Sequence, residues 1–177
     1  MLVVSEKGLE FIKAFEGSRQ DKGGHFMYND PAGYATIGYG HLVAKRPVLP
    51  SEKEIRISEQ QALVLLREDL EEAIQGVNMA FTGGFLPDLE QHQIDALASW
   101  FFNLGVSAKT LGSGLVQLLT SRVFWGAWEK NRMWPVAAVR EEFGMWVRAG
   151  GKVLPGLIAR RQAEARLFVE GRYLDGK

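Results

Sequence analysis

The sequence predicts a mostly helical α+β protein, with a small N-terminal β-hairpin lobe and a larger helical C-terminal lobe joined by one long helix. Three observations predict it. A glycine-rich stretch from Gly17 to Gly40 breaks the helical patterning early in the chain, an apolar helical period runs through residues 57–80, and helix-start signals recur from Pro87 onward. At 177 residues, with 46% hydrophobic and 24% charged side chains, the chain is long enough to bury a sizeable core. The expected layout is a single domain over 1–177, built from an N-terminal lobe with β-sheet at 1–56, the connecting helix at 57–80 and the helical lobe at 81–177.

The first helix is marked by Ser5 as N-cap, by Leu9, Ile12 and Phe15 three apart, and by Gly17 just past its end. Glu16 therefore falls where a helix stops and a loop begins. In the glycine-rich stretch, Gly23-Gly24, Asn29-Asp30-Pro31 and Gly33 punctuate short β-like runs, ending in Tyr34-Ala35-Thr36-Ile37-Gly38-Tyr39-Gly40. That pattern predicts a small twisted antiparallel sheet with tight turns, and 44–51, with Pro47 and Pro50, reads as a loop. Ser58 with Gln61 forms a capping box, after which Leu63, Leu66, Leu70, Ala73, Ile74 and Val77 mark a helix of roughly six turns. Further helices are signalled by Asp88 with Gln91 before Ile94, Leu97 and Phe101, by Pro135 before Ala138, Phe143 and Trp146, and by Pro155 before Ile158, Ala165 and Phe168.

Composition narrows the chemistry. The absence of cysteine excludes disulfides, thiolate catalysis and Cys-type zinc sites. Met1-Leu2-Val3-Val4 turns charged at Ser5-Glu6-Lys7, too short an apolar run for a signal peptide, and no window approaches the roughly 18 apolar residues of a membrane span. Net charge is zero, yet residues 51–90 carry three basic and nine acidic side chains while 131–177 carry nine basic and five acidic. A basic C-terminal region suits an anionic polymer; a solvated surface of mixed charge accounts for the same distribution.

Glu16 and Asp30 are carboxylates at the edges of the glycine-rich stretch. Glycoside cleavage uses such a pair, one acid to protonate the leaving oxygen and one base to activate water or attack carbon. The same residues also fit a plain structural use, Asp30 in an Asx turn before Pro31 and Glu16 at a helix end. Their surroundings add more. Glu16-Gly17 and then Tyr28-Asn29-Asp30-Pro31-Ala32-Gly33-Tyr34-Ala35-Thr36-Ile37-Gly38-Tyr39-Gly40-His41 resembles the phage-type lysozymes, glycoside hydrolase family 24, whose signature sets Glu, Asp and Thr around a Thr-Ile-Gly-x-Gly-His turn. Similarity continues in the family's order. Residues 65–73 look like its interlobe helix, Phe101-Phe102-Asn103-Leu104-Gly105 like its buried helix, and Trp134 through Trp146 with Leu154-Pro155-Gly156-Leu157 like its C-terminal lobe.

The resemblance implies a lysozyme-like fold and an endolysin that hydrolyses the β-1,4 bond between N-acetylmuramic acid and N-acetylglucosamine in peptidoglycan. It implies Glu16 as general acid, Asp30 as the carboxylate opposite it, and Thr36 as a hydroxyl that holds the attacking water by accepting from it and donating to it. The family is taken to invert the anomeric carbon, which makes Asp30 a base acting through water. Leu42, Phe102, Ser113 (or Gly114, one residue on) and Arg140 fall on the family's substrate positions, Arg140 standing where a neutral polar residue is expected. His41 looks structural, closing the hairpin against the long helix through an ion pair with Asp69. Thirteen residues separate Glu16 from Asp30, a longer interval than in the better-known members, so 19–25 reads as an insertion that lengthens a hairpin tip. The five residues between Asp30 and Thr36 are kept, and reading Asp21 in place of Asp30 breaks that interval.

Other features read more plainly. His25 and His92 show no metal-ligand spacing, so neither a metal nor a cofactor is expected. Trp100, Phe101 and Phe102, with Trp125, Trp128, Trp134 and Trp146, stand at helical spacing and read as core before sugar platforms. Arg160 and Arg161 are read as reaching toward the acidic groups of the first helix. The expected partner is the peptidoglycan glycan strand, engaged by a monomer, with no nucleic acid and no membrane insertion. An endolysin of this kind is expected to start in the host cytoplasm and to reach the periplasmic wall through a holin-like pore, or to be carried by a virion or injected by another system. Two alternatives share the residues: a non-catalytic wall-binding module, and a lytic transglycosylase that uses the sugar's own hydroxyl in place of water.

Overall fold

In the computed structural model, which describes residues 2–81, 89–121 and 135–174, α1 spans Glu6–Glu16. Ser5 starts it, its hydroxyl accepting from the Gly8 N–H at 3.0 Å, and Gly17 follows its end at φ +61°. The chain divides into two compact units, one of residues 12–71 and the other of 1–11 with 72–177.

The 12–71 unit carries β1 (Gln20–Asp21), β2 (Gly24–Phe26), β3 (Tyr28–Asn29), β4 (Ala35–Ile37), β5 (His41–Ala44), a 3₁₀ turn at Pro50–Glu52, and β6 (Arg56–Ile57). They form two antiparallel three-stranded sheets, β1-β2-β6 and β3-β4-β5, where the pattern predicted one. The extra sheet exists because residues 19–25 fold back as the β1–β2 hairpin and β2 then recruits the segment just ahead of the long helix, His25 pairing with Ile57 and Phe26 with Arg56. Gly24 permits this approach. It sits at φ +115°, and a Cβ there would lie 2.4 Å from the Ile57 carbonyl oxygen. Arg56 fastens the hairpin by bonding Asp21 at 3.0 Å while its guanidinium lies 5.0 Å over the Phe26 ring.

Met27, Ala35 and Ile37 make a small buried core with Ala44, Val48, Ile57 and Leu65 packed against it. The loop beyond β5 is held by charge. Arg46 forks onto Glu52 at 2.8 and 2.7 Å, and the Leu49 N–H donates to the same carboxylate at 2.8 Å. The Arg46 bonds, then the Leu49 amide, hold the Glu52 carboxyl down at about 2. Helix α2 (Glu59–Phe81) begins in this unit and continues into the other. Its start is a reciprocal capping box, Ser58 N–H to Gln61 Oε1 at 2.8 Å and Gln61 N–H to Ser58 Oγ at 3.2 Å.

The other unit is helical, with α3 (Gln91–Leu104), α4 (Ala108–Leu111), α5 (Gly114–Thr120), α6 (Val136–Gly144) and α7 (Pro155–Glu170), plus a two-stranded ribbon of β7 (Arg148–Ala149) and β8 (Lys152–Val153). Helix α7 packs on α3 and α6, enclosing Leu97, Trp100, Phe101, Phe143, Leu167 and Phe168. Trp100 meets Trp146 edge-on at 5.4 Å. Trp125, Trp128 and Trp134 lie outside the described residues, as do Pro87 and Asp88; the Gln93 side chain accepts the Glu90 N–H at the start of α3.

Two buried polar clusters fix these helices. Asp95 on α3 accepts from the Ser5 N–H and hydroxyl and from the Tyr173 hydroxyl, tying the start of α1 and the segment after α7 to one carboxylate. Glu164 accepts from Arg160 at 3.0 Å, from Arg161 at 2.9 Å and from Ser99 Oγ at 2.7 Å, while Arg161 also reaches Asn103 at 3.1 Å. Burial pushes the Glu164 carboxyl up, against the opposing pull of Arg161 and Arg160. Among the described residues, no helix is long and apolar enough to cross a membrane.

Glu164→Ala leaves two buried guanidinium groups without their shared carboxylate. It should lower unfolding stability by about 3–5 kcal/mol in urea denaturation, and a loss under about 1 kcal/mol contradicts this account of the cluster. Glu52 gives a pH signature. Its folded value of about 2 lies below the ordinary 4.5, so its stabilisation is present above 4.5 and fades as pH falls toward 2. Denaturation curves of wild type and Glu52→Gln should differ near neutral pH and converge near pH 2; curves that stay parallel oppose the assignment.

Candidate active site

The tip between β3 and β4 is organised by Asp30. Its Oδ1 accepts from the Ala32 and Tyr34 N–H groups, each at 2.8 Å, while its own N–H donates to the Tyr34 carbonyl at 2.9 Å. Both carboxylate bonds fall on one oxygen. Thr36 lies two residues further, 3% exposed, and its hydroxyl donates to the same Tyr34 carbonyl at 3.1 Å. Asp30 and Thr36 are thus both indexed to the peptide groups of Tyr34. The Thr36 hydrogen is already committed, so this hydroxyl can accept from a water but not also donate to it, which narrows the role that the sequence implied.

Strand register completes this face. Tyr28 pairs with Thr36 across β3–β4, and Thr36 with Leu42 across β4–β5, so the three side chains form one cross-strand row. Thr36 is the buried member and Leu42 is 43% exposed. The Tyr28 hydroxyl is pushed up from its ordinary value by desolvation, then by the charge of Glu16, then by that of Asp30. The charges of both carboxylates therefore act on the Tyr28 hydroxyl. It stood inside the family-like run, but sequence reasoning gave it no role.

Glu16 closes α1, and its Oε2 lies 3.9 Å from where a Cβ on Gly40 would stand. Gly40 sits at φ +96° in the turn between β4 and β5, a conformation that favours glycine and lets the turn pass beside the carboxylate. The next residue, His41, directs Nδ1 to both oxygens of Asp69 on α2, at 3.0 Å each, so β5 is latched to the helix that follows the sheets.

A second constellation gathers at the start of α2. Glu59, the first residue of α2, takes Lys13 Nζ at 3.0 Å, the Tyr39 hydroxyl at 2.7 and 2.9 Å, and His25 Nε2 at 2.7 Å. Partial desolvation raises the Glu59 carboxyl, and the bonds from His25, Tyr39 and Lys13 together outweigh it, leaving it at about 2. Desolvation and the bond to Glu59 push the Tyr39 hydroxyl up to about 12. The sequence carried no signal for this group beyond helical position.

The remaining predicted site residues belong to the other unit. Phe102 is partly buried on α3. Ser113 is 6% exposed and its hydroxyl accepts the Val116 N–H, capping α5, so that oxygen has a structural task. Gly114 packs against the Glu142 carboxylate. Arg140 is exposed on α6 and paired with Glu170 at 2.5 Å. Among the described residues no group of three or more histidine, aspartate or glutamate side chains is placed to hold a metal ion.

Comparison with known proteins places this arrangement in context. The phage lysozyme family model matches residues 13–164. The endolysin of Bacillus phage B103 is 35% identical over 168 residues, 95% of this chain and 54% of that protein. The endolysin of Acyrthosiphon pisum secondary endosymbiont phage 1 is 36% identical over 93% of this chain and 97% of its own length. The solved structure of an endolysin from Escherichia coli O157:H7 phage FAHEc1 superposes with a TM-score of 0.74 at 28% identity, covering 98% of each chain. The chain spans about half the length of the Bacillus phage relatives it matches.

The Asp30 clamp makes a structural prediction independent of chemistry. Asp30→Asn retains an acceptor oxygen for both amides and should unfold within about 0.5 kcal/mol of wild type, whereas Asp30→Ala frees the Ala32 and Tyr34 N–H groups and should cost about 1–2 kcal/mol. Equal stabilities of the two variants in thermal or urea denaturation contradict the clamp.

Proposed function

Because the chain belongs to the phage lysozyme family, we propose that it is an N-acetylmuramidase that hydrolyses the β-1,4 glycosidic bond of peptidoglycan and lyses bacterial cell walls. The observation that carries the reading is the common anchoring of Asp30 and Thr36 to the Tyr34 peptide groups, with the charges of Glu16 and Asp30 both acting on the Tyr28 hydroxyl.

In this reading Glu16 donates a proton to the glycosidic oxygen as the bond to the anomeric carbon breaks. Asp30 uses Oδ1 to hold its own turn, so Oδ2 is the oxygen that accepts a proton from the attacking water. Thr36 accepts the water's other hydrogen, since its own is given to Tyr34. A water that donates to both residues keeps a lone pair for the carbon, which is the arrangement an inverting displacement requires. Leu42, Phe102, Ser113 and Arg140 serve as sugar contacts, Ser113 through groups other than its capping lone pair. His41 and Asp69 hold the sheet to α2 and take no part in bond breaking.

The layout proposed with this function is a single domain over 1–177, divided at 1–56, 57–80 and 81–177, acting as a monomer without cofactor or nucleic acid. Such a protein, made in the host cytoplasm, would reach the periplasmic wall through a holin-like pore.

Glu16→Gln removes the transferable proton at nearly constant shape. Its cell-wall clearing rate should fall by about 100-fold or more while its circular dichroism and melting temperature stay those of wild type. A folded Glu16→Gln protein that clears walls at the wild-type rate sinks the assignment.

A further inference from the structure

A general acid must be aimed as well as protonated, and Glu16 occupies the end of a helix, where the last turn is least constrained by its own hydrogen bonds. Three segments surround Glu59. Lys13 lies one turn before Glu16 on α1, Tyr39 lies next to Gly40, where a Cβ would stand 3.9 Å from the Glu16 carboxylate, and His25 lies on β2 in the inserted hairpin. Their polar atoms converge on the two Glu59 oxygens at 2.7–3.0 Å. Lys13 Nζ also stands 5.3 Å from the Tyr39 ring centroid, and the His25 and Tyr39 rings meet edge-on at 5.1 Å.

We propose that Glu59 is a positioning residue for Glu16, gripping the last turn of α1 and the Gly38–Gly40 turn together. His25 makes the inserted hairpin part of the grip. The inference rests on the reading of Glu16 as the acid.

Two features separate this role from ordinary stabilisation. The Glu59 side chain is 48% exposed, so its bonds fill no core, and their part in stability is read separately by the melting temperatures. Yet its three partners come from three separate segments, one of which carries Glu16 and another of which passes near its carboxylate at Gly40. His25, 1% exposed, reaches solvent on neither face, and its Nδ1 has no hydrogen-bond partner among the described residues, so its single polar contact is the one to Glu59. A buried imidazole held by one bond to a half-exposed carboxylate orients that carboxylate more than it fills a core.

The test is steady-state kinetics on soluble wall fragments for Glu59→Ala, Lys13→Met, Lys13→Arg and Tyr39→Phe, with melting temperatures alongside. A displacement of about 1 Å at an acid costs on the order of 100-fold, so Glu59→Ala should lower kcat by about 10- to 100-fold with KM within about threefold of wild type, and should displace the pH profile of kcat. Lys13→Met should lower kcat in the same manner and Lys13→Arg, which keeps the charge, should recover most of it. Should Glu59→Ala fail to fold, Tyr39→Phe, which removes one hydroxyl, should still lower kcat several-fold. Folded Glu59→Ala or Tyr39→Phe with unchanged kcat and pH profile, or Lys13→Arg as impaired as Lys13→Met, overturns the positioning role. Wild type and Glu16→Gln run in parallel separate the two claims: an inactive wild type overturns the hydrolase reading and this inference with it, whereas an active wild type with an unaltered Glu59→Ala overturns this inference alone.

Discussion

Strands of two to four residues form too few ladder bonds to set their own register, and every strand of the 12–71 unit is that short. The geometry around Glu16 and Asp30 therefore depends on side chains bonded to the backbone of other segments. Asp30 Oδ1 takes two amides of the β3–β4 tip, Asn29 Oδ1 takes the Val48 N–H at 2.8 Å, and Glu52 takes that of Leu49. Each is an acceptor meeting an amide that no strand neighbour satisfies, so the polar residues of this unit do the work that long ladders do in larger sheets.

The same economy explains how two residues serve structure and proposed chemistry together. Asp30 spends one oxygen on its turn and keeps the other, and Thr36 spends its hydrogen and keeps its lone pairs. A side chain fixed by one of its atoms presents the rest at a defined angle without any moving part. The structural reading of Asp30 as an Asx turn and the reading of it as a base are therefore compatible, because they concern different atoms.

Helices were largely legible in the sequence. Ser5, the Ser58–Gln61 box and Pro155 each mark a start that the structure contains, because capping is a local property of three or four neighbouring residues. The sheets were legible only in part. Arg56–Ile57 is a two-residue segment with no alternation to read, and it becomes a strand only because the β1–β2 hairpin offers an edge. Long-range polar partners were not legible at all. Glu59 meets residues 20, 34 and 46 positions away, and no spacing rule connects them. Arg160 and Arg161 lie four and three residues before Glu164, a spacing that places the three charges on one helix face, and both pair with it there. The candidate site residues follow the same division: Glu16, Asp30 and Thr36 are candidates from the family-like run, while the bonds of Glu59 are visible only in the fold.

The proposal that water attacks the sugar, held by Asp30 Oδ2 and Thr36 while Glu16 supplies the proton, is tested most directly by the origin of the new oxygen. Purified peptidoglycan digested by the protein in heavy-oxygen water can be read by mass spectrometry. The account predicts N-acetylmuramic acid reducing ends carrying one heavy oxygen each. Unlabelled anhydro ends, formed by the sugar's own hydroxyl, contradict it.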